Sequence, residues 1–210
     1  MRRGQFITIE GQDGAGKSTN VAVIKQCLES AGISFVHSRE PGGTPLGETL
    51  RELLLNSKDN SIGDKAELLI IFAARAQHIE TVIRPALAKG QWVLCDRFTD
   101  ATYAYQGGGR EMPEPDIALL EHHVQGTLRP DLTLLLDIAV ELGESRAGQR
   151  SAPDRFELKE RTFKQKVRDT YLERAKKDPL RIKTIDSSGS LEHVKRQVEA
   201  VMTTFIADHV

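Results

Sequence analysis

Eight residues near the amino terminus, Gly11-Gln12-Asp13-Gly14-Ala15-Gly16-Lys17-Ser18, satisfy every fixed position of the pattern G-x-x-x-x-G-K-[ST]. The chemistry of that pattern is phosphate binding. Glycines let successive backbone N–H groups curl around an anion with no Cβ in the way. A helix that starts at the lysine adds the positive end of its dipole. Lys17 can reach β- and γ-phosphate oxygens, and the Ser18 hydroxyl can ligate Mg²⁺. With glycine at about 7% of residues, a chance match in a chain this long is on the order of 1%. Gly11 to Ser18, with Thr19 beside them, are candidate ligands of a nucleoside triphosphate. The bland alternative is a glycine-rich turn that only joins a strand to a helix.

A second acid–base pair stands further along, in Cys95-Asp96-Arg97. An acid at a strand end can hold a Mg²⁺ shell, so Asp96 joins Ser18 as a candidate metal ligand. Arg97 would lie between donor and acceptor phosphates; its alternative is an ion pair that only anchors the loop. The chain has no Asn/Thr-Lys-x-Asp motif on a late strand, which argues against a GTPase, and it is small for an AAA-type motor.

These residues need a scaffold that brings strand ends together, and the periodicity supplies one. Apolar runs at Gln5–Glu10, Ser34–Ser38, Gln91–Cys95, Leu132–Asp137 and Arg181–Asp186 read as strands. Helical patterns cover Lys17 to about Ala31, Leu46–Asn56, Asp64–Ala88 and the stretch from about Leu191 onward. Strands alternating with helices imply βαβ units and an α/β fold with a parallel sheet. The strand cores Phe6-Ile7-Thr8-Ile9, Trp92-Val93-Leu94 and Leu134-Leu135-Leu136 are nearly continuously apolar, as strands covered on both faces must be. Ligands of such sheets collect beyond the carboxyl ends of the strands, where Gly11–Ser18, Arg39–Gly43, Asp96–Arg97 and the stretch after Asp137 all fall. Ser145–Phe156 carries three arginines with Gly148, Ser151 and Pro153, and reads as a mobile flap.

Length and composition set outer limits. The chain has 210 residues, enough for one substantial core, and no linker divides it, so residues 1–210 read as a single domain. Twenty-nine Lys and Arg against 30 Asp and Glu leave a formal charge of −1, with no global footprint for nucleic acid or an anionic membrane. Two distant cysteines, Cys27 and Cys95, make neither a metal set nor a disulfide scaffold and imply a cytoplasmic compartment. The amino terminus does not read as a signal peptide, and the longest apolar run, Leu68 to Ala74, cannot span a bilayer.

Behind the phosphate loop come Arg39-Glu40-Pro41-Gly42-Gly43-Thr44, Asp96-Arg97-Phe98, Ala104-Tyr105-Gln106-Gly107-Gly108-Gly109-Arg110, Arg129-Pro130-Asp131-Leu132-Thr133 and Asp154-Arg155-Phe156-Glu157, in that order. This series resembles the thymidylate kinase family from about Phe6 to Asp186. The resemblance implies a P-loop kinase fold with a five-stranded parallel sheet flanked by helices, a short mobile lid at about 145–156, a homodimer, and ATP–Mg²⁺ as donor to dTMP. It implies Arg97 and Arg51 as acceptor-phosphate ligands, with Arg39 a further candidate. Asp13 matches an acidic position near the sugar 3′-oxygen; a turn-stabilising contact is its alternative. The loop carries no base besides Lys17, whereas the flap holds Arg146, Arg150 and Arg155, a distribution that resembles the bacterial branch with its catalytic arginine in the lid. Arg150, mid-flap, is the first choice, with a solvated charge run as alternative.

On the helix Asp64–Ala88, Ile71, Phe72, Arg75 and His78 share a face. Arg75 matches the family's contact to the thymine 4-oxo group. The aromatic that stacks on the base usually stands four residues earlier, where this chain has Ile71, so Phe72 is the candidate, with core packing as its alternative. His78 receives no role. The resemblance sets Thr102 near the base N3 edge, Tyr105 against the sugar C2′ and Gln106 nearby. Other readings are a kinase of the same architecture with a different acceptor, or a P-loop ATPase that drives a partner. For the donor site, Lys17→Ala should lower turnover by orders of magnitude while leaving folding little changed, since an exposed loop lysine contributes little stability; near-normal turnover of folded Lys17→Ala in a coupled ADP-release assay rules the role out.

Overall fold

The computed structural model describes residues 3–56, 61–147, 156 and 160–210. Among these, five strands form one parallel sheet: β1 (Phe6–Glu10), β2 (Phe35–Arg39), β3 (Trp92–Asp96), β4 (Leu132–Asp137) and β5 (Ile182–Asp186). Their order across the sheet is β2-β3-β1-β4-β5. The expected strands are all present, and β3 ends one residue later than its apolar run suggested. That extra rung matters, because Asp96 pairs with Ile9 of β1 and Arg39 of β2. Three strand ends therefore lie side by side at the carboxyl edge.

Alternation along the strands divides the core. Ile7, Ile9, Leu94, Leu132 and Leu134 face helices α1 (Lys17–Ser30) and α9 (Leu191–His209), where Ile24, Leu28, Val194, Val198 and Met202 complete a fully apolar layer. Phe6, Val93 and Cys95 point to the other face and pack on Ile79, Ile83 and Phe98. Leu135 meets Val167 and Tyr171 of α8 (Arg161–Lys177). The interior strands β3, β1 and β4 are buried except for the half-buried Asp96 and Asp137 that close β3 and β4, whereas β2 and β5 are partly exposed because each lies at an edge.

Past β2 come α2 (Pro45–Asn56) and α3 (Asp64–His78). The single helix expected over Asp64–Ala88 is continuous in path but not in pitch: a π-helical turn, Ile79–Ile83, separates α3 from α4 (Arg84–Ala88). Pro85 explains the change, since it has no N–H to offer the fourth residue back. A second π-helical stretch, Tyr103–Gly109, continues α5 (Thr99–Thr102), and α6 (Glu114–Gln125) follows. Helix α7 (Val140–Ala147) includes Ser145 and Arg146, so the first residues of the flap expected over Ser145–Phe156 are helical; residues 148–155 lie outside the described residues.

Asp100 fastens α5 to the body. Its buried carboxylate accepts from Arg174 Nε (2.6 Å) and Arg181 Nη1 (2.7 Å), tying α5 to α8 and to the start of β5. Removing one partner of a buried ion pair strands the other charges. Asp100→Ala should cost about 3 kcal/mol in urea unfolding; a loss below about 1 kcal/mol would show that the helix is held by packing alone.

Candidate active site

The phosphate loop forms as expected between β1 and α1, and close packing dictates its glycines. Gly11 lies at φ +134°, and a Cβ there would come within 2.6 Å of the Leu136 carbonyl oxygen. Gly14, at φ +78°, faces the backbone of Gly143 on α7, whose oxygen would stand 2.1 Å from a Cβ. Gln12 anchors the loop by donating to the Ile138 carbonyl at 2.7 Å. Ala15 is buried, Gly16 caps α1 in a left-handed conformation, and Ser18 and Thr19 stand exposed on the first helical turn.

Lys17 is not the exposed loop lysine expected from the sequence: its side chain is 10% exposed, and Nζ folds back over the loop, donating to the carbonyls of Gly11 (3.0 Å) and Gln12 (3.1 Å), with Asp13 Oδ1 at 3.5 Å. Arg97 reaches the same place from β3: Nη1 donates to Gly11 O at 2.8 Å and Nη2 to Asp13 Oδ1 at 2.6 Å. Its guanidinium also lies over the Tyr105 ring, 5.0 Å from the centroid. Burial pushes the Asp13 carboxyl up, but Arg97 and Lys17 outweigh it and hold it at about 2. Burial, and then the Arg97 charge, lower Lys17.

The Arg97 backbone is left-handed, at φ +68°, an uncommon conformation for a non-glycine residue that tends to mark functional turns. The turn is tied on both sides, by Arg97 N–H to the Ile9 carbonyl (3.0 Å) and Phe98 N–H to Glu10 Oε1 (2.7 Å). Glu10 received no role from the sequence. The signal available was its place: a carboxylate closing an otherwise apolar strand directly before the loop. It points to the α8 face, where Tyr171 donates to Oε2 at 2.8 Å.

Asp13, Arg51, Arg75, Arg97, Thr102, Tyr105 and Gln106 line one cavity. Ile71, Leu54, Phe98 and Ala101 supply apolar wall, and Phe156 closes part of it against Tyr105. Arg51 Nη1 donates to the Pro41 carbonyl at 3.0 Å; burial, then the Arg39 and Arg97 charges, lower its pKa. Arg51 and Arg97 thus set two mutually repelling cations on the cavity wall. Arg75, also on the lining and 2% exposed, donates to Glu40, the Phe98 carbonyl and Thr102 Oγ1.

Two candidates stand elsewhere. Phe72 is buried with Leu68, Tyr103 and Ile117, and its ring meets the Arg75 guanidinium, while Ile71 takes the position on the cavity wall. The one-residue offset from the family pattern turns Phe72 about 100° around the helix, into the core. Arg39 projects outward, its side chain 53% exposed and paired with Glu48 at 2.7 Å. Arg150 and Arg155 lie outside the described residues, and Arg146 donates to the carbonyls of Ser187, Ser188 and Gly189 at the turn after β5.

For the metal, Asp96 Oδ1 is a buried oxygen with no hydrogen-bond partner among the described residues. A hard cation that takes one or two carboxylates plus phosphate oxygens fits such a donor.

A family model described as thymidylate kinase matches residues 9–198. The chain belongs to the thymidylate kinase family. It is 57% identical to the thymidylate kinase of Neisseria gonorrhoeae (strain NCCP11945) over 198 residues, covering 94% of this chain and 96% of that protein. It is 54% identical to that of Pseudomonas savastanoi pv. phaseolicola over 199 residues, 95% of each. The crystal structure of thymidylate kinase from Ehrlichia chaffeensis superposes with a TM-score of 0.77 at 30% identity, over 97% of this chain and 99% of that one. The P-loop kinase fold inferred from the sequence is thereby shown, and family membership makes the chain an ATP-dependent nucleoside-monophosphate kinase.

Glu10 gives this thymidylate kinase family site a pH signature. Burial, and then Asp100, raise its pKa from 4.5 to about 7, against the opposing effect of Arg97, Tyr171 and the Phe98 N–H. The folded protein therefore holds more protons than the unfolded chain between those values, and stability from Glu10 is lost as pH rises through the window, by about 3 kcal/mol in all. Glu10→Gln removes that titration. In urea unfolding at pH 5 and pH 8, the variant should gain on the wild type by a few kcal/mol; an unchanged difference would mean that Glu10 is charged throughout.

Proposed function

We propose that the chain transfers the γ-phosphoryl group of ATP to the 5′-phosphate of dTMP, giving dTDP and ADP. The observation that supports this reading is that Asp13 and Arg97 beside the phosphate loop line one cavity with Arg51, Arg75 and Thr102. A nucleoside monophosphate, with an anionic group and a flat hydrogen-bonding base, suits such a lining.

The backbone N–H groups of Gly11–Ser18 and the dipole of α1 bind the donor phosphates. Lys17 holds the transferring group, exchanging contacts to Gly11 and Gln12 carbonyls for phosphate oxygens. Arg97 and Arg51 hold the acceptor phosphate. No protein nucleophile is required, because the acceptor is already anionic, and catalysis is positioning and charge stabilisation. Ser18 and Asp96 would hold Mg²⁺, which neutralises charge on the phosphates when bound. Asp13, kept ionised by Arg97, orients that guanidinium and offers an acceptor to the sugar 3′-hydroxyl. Arg150 is proposed as the lid guanidinium that stabilises the transferring group.

At the base end, Arg75 can only donate, which suits the 4-oxo group of thymine and leaves the 4-amino group of cytosine unpaired. Tyr105, fixed under Arg97 and 3.4 Å through its hydroxyl from Asp13 Oδ2, is placed to exclude a 2′-hydroxyl, with Thr102 and Gln106 as further polar contacts. A homodimer is proposed as well; Leu69 on α3 and Leu119 on α6 expose apolar surface on packed neighbouring helices. Among the described residues no helix is long and apolar enough to cross a membrane, and a cytoplasmic location accords with the two free thiols. Product identification with ATP, Mg²⁺ and separate acceptors tests the reading. dTMP should exceed dCMP and the ribose form of TMP by orders of magnitude in kcat/KM, and Tyr105→Ala should narrow the sugar preference. Equal use of dCMP and dTMP by the wild type would remove the base assignment.

A further inference from the structure

A buried polar network outside the phosphate loop has no part in the roles assigned above. It links Ser38 on β2, Glu40 in the following loop and His78 at the end of α3, all nearly or fully buried. Glu40 divides its carboxylate: Oε2 accepts from Arg75 Nε at 2.7 Å, and Oε1 faces His78 Nδ1 at 2.9 Å. His78 Nε2 meets Ser38 Oγ at 2.7 Å. An ionised carboxylate only accepts, so His78 must carry its proton on Nδ1, which leaves Nε2 to accept from the Ser38 hydroxyl when the ring is neutral. Burial opposes charge on Glu40, yet Arg75 and His78 together lower its pKa.

Donor accounting shows what this does for Arg75. Of its five N–H groups, Nε goes to Glu40, the two on Nη2 go to the Phe98 carbonyl (3.1 Å) and Thr102 Oγ1 (2.9 Å), and one on Nη1 makes a long contact of 3.5 Å to Gln125 Oε1. One Nη1 donor is left, on a side chain that lines the cavity. The guanidinium is also held between the rings of Phe72 and Phe98, at 5.0 and 4.9 Å. Its in-plane rotation is therefore set by its hydrogen bonds, and the charge-assisted one to Glu40 is the shortest. Gly43 packs so closely that a Cβ would stand 2.2 Å from Ser38 Oγ and 2.8 Å from His78 Nε2, which presses the Glu40 loop onto the histidine.

We propose that Glu40, oriented by His78, is a positioning residue for base recognition: it fixes the angle at which Arg75 presents its remaining donor to the acceptor base. This rests on the assignment of the cavity to dTMP. A shift of about 1 Å in a positioned group can cost on the order of a hundredfold.

The test separates positioning from packing through paired variants, with thermal unfolding recorded for each. Arg75→Ala is the reference and should raise the dTMP KM. Glu40→Gln should raise it at least tenfold, with the ATP KM within twofold and the dTMP-over-dCMP preference reduced. His78→Asn keeps an N–H donor near the Nδ1 position and should stay close to wild type, whereas His78→Leu, better suited to a buried apolar niche, should behave as Glu40→Gln does. Loss of function in His78→Asn with His78→Leu near normal would overturn the inference and make His78 a packing residue. So would Glu40→Gln with dTMP KM and base preference within twofold of wild type. If Glu40→Gln does not fold, the order of the two His78 variants decides; if His78→Leu does not fold, His78→Gln, whose amide falls near Nε2, takes its place. An unchanged dTMP KM in Arg75→Ala would instead overturn the cavity assignment itself.

Discussion

Two cations converge on one backbone carbonyl. Lys17 and Arg97, from separate strand ends, both donate to the oxygen of Gly11, and the geometry of the site follows from that meeting. It requires β1 and β3 to be neighbours with aligned carboxyl ends, which the Ile9–Asp96 rung supplies. It requires Gly11 to lie against Leu136, where any Cβ would collide with backbone. It also holds Arg97 in a left-handed conformation that costs on the order of 1–3 kcal/mol and persists because the surroundings over-determine it. Carbonyl oxygens occupy the lysine and arginine N–H groups with the same chemistry a phosphate oxygen offers, so charge transfer to a ligand requires small movements rather than rebuilding.

The carboxylates around this point differ in proton affinity according to what each faces. Asp13 meets Arg97 and Lys17 and stays ionised far below neutrality. Glu10, on the other side of the same strand end, meets burial and the neighbouring Asp100 charge and retains its proton to about pH 7. Asp96 keeps an unpartnered buried oxygen beside them. One strand-end cluster thus combines an anion that orients an arginine, an acid that ties a strained turn to α8, and an oxygen suited to a hard cation.

The cavity extends this arrangement over the sheet edge. Its wall draws on the loop ends of the sheet, α2, α3 and α5, and Glu40-Pro41 joins two of its cations: the Glu40 side chain holds Arg75 while the Pro41 carbonyl holds Arg51. A loop of two residues thereby sets the distance between two cavity-lining guanidinium groups.

The phosphate loop, the alternation of strand and helix, and the acid–base pair at Asp96–Arg97 were legible in the sequence because each is a local matter: glycine spacing, apolar periodicity and adjacent residue types decide them. The family motifs located Arg51, Arg75, Thr102 and Tyr105, and the structure brings these side chains into one cavity. What tertiary structure decided is direction. Ile71 and Phe72 are adjacent in sequence, and only the docking of α3 against α6 and the Tyr103–Gly109 turn puts Phe72 inside and Ile71 on the wall. Arg39 and Arg51 are equally basic, but the packing of α2 turns Arg39 to Glu48 and Arg51 to the cavity. Glu40 and His78 gave no local sign of their partners, and Glu10 only its place before the loop, because a buried carboxylate or imidazole takes its environment from partners that lie 35 to 161 residues away. Burial and hydrogen-bond geometry assign those partners, and both exist only once the sheet and its helices have assembled.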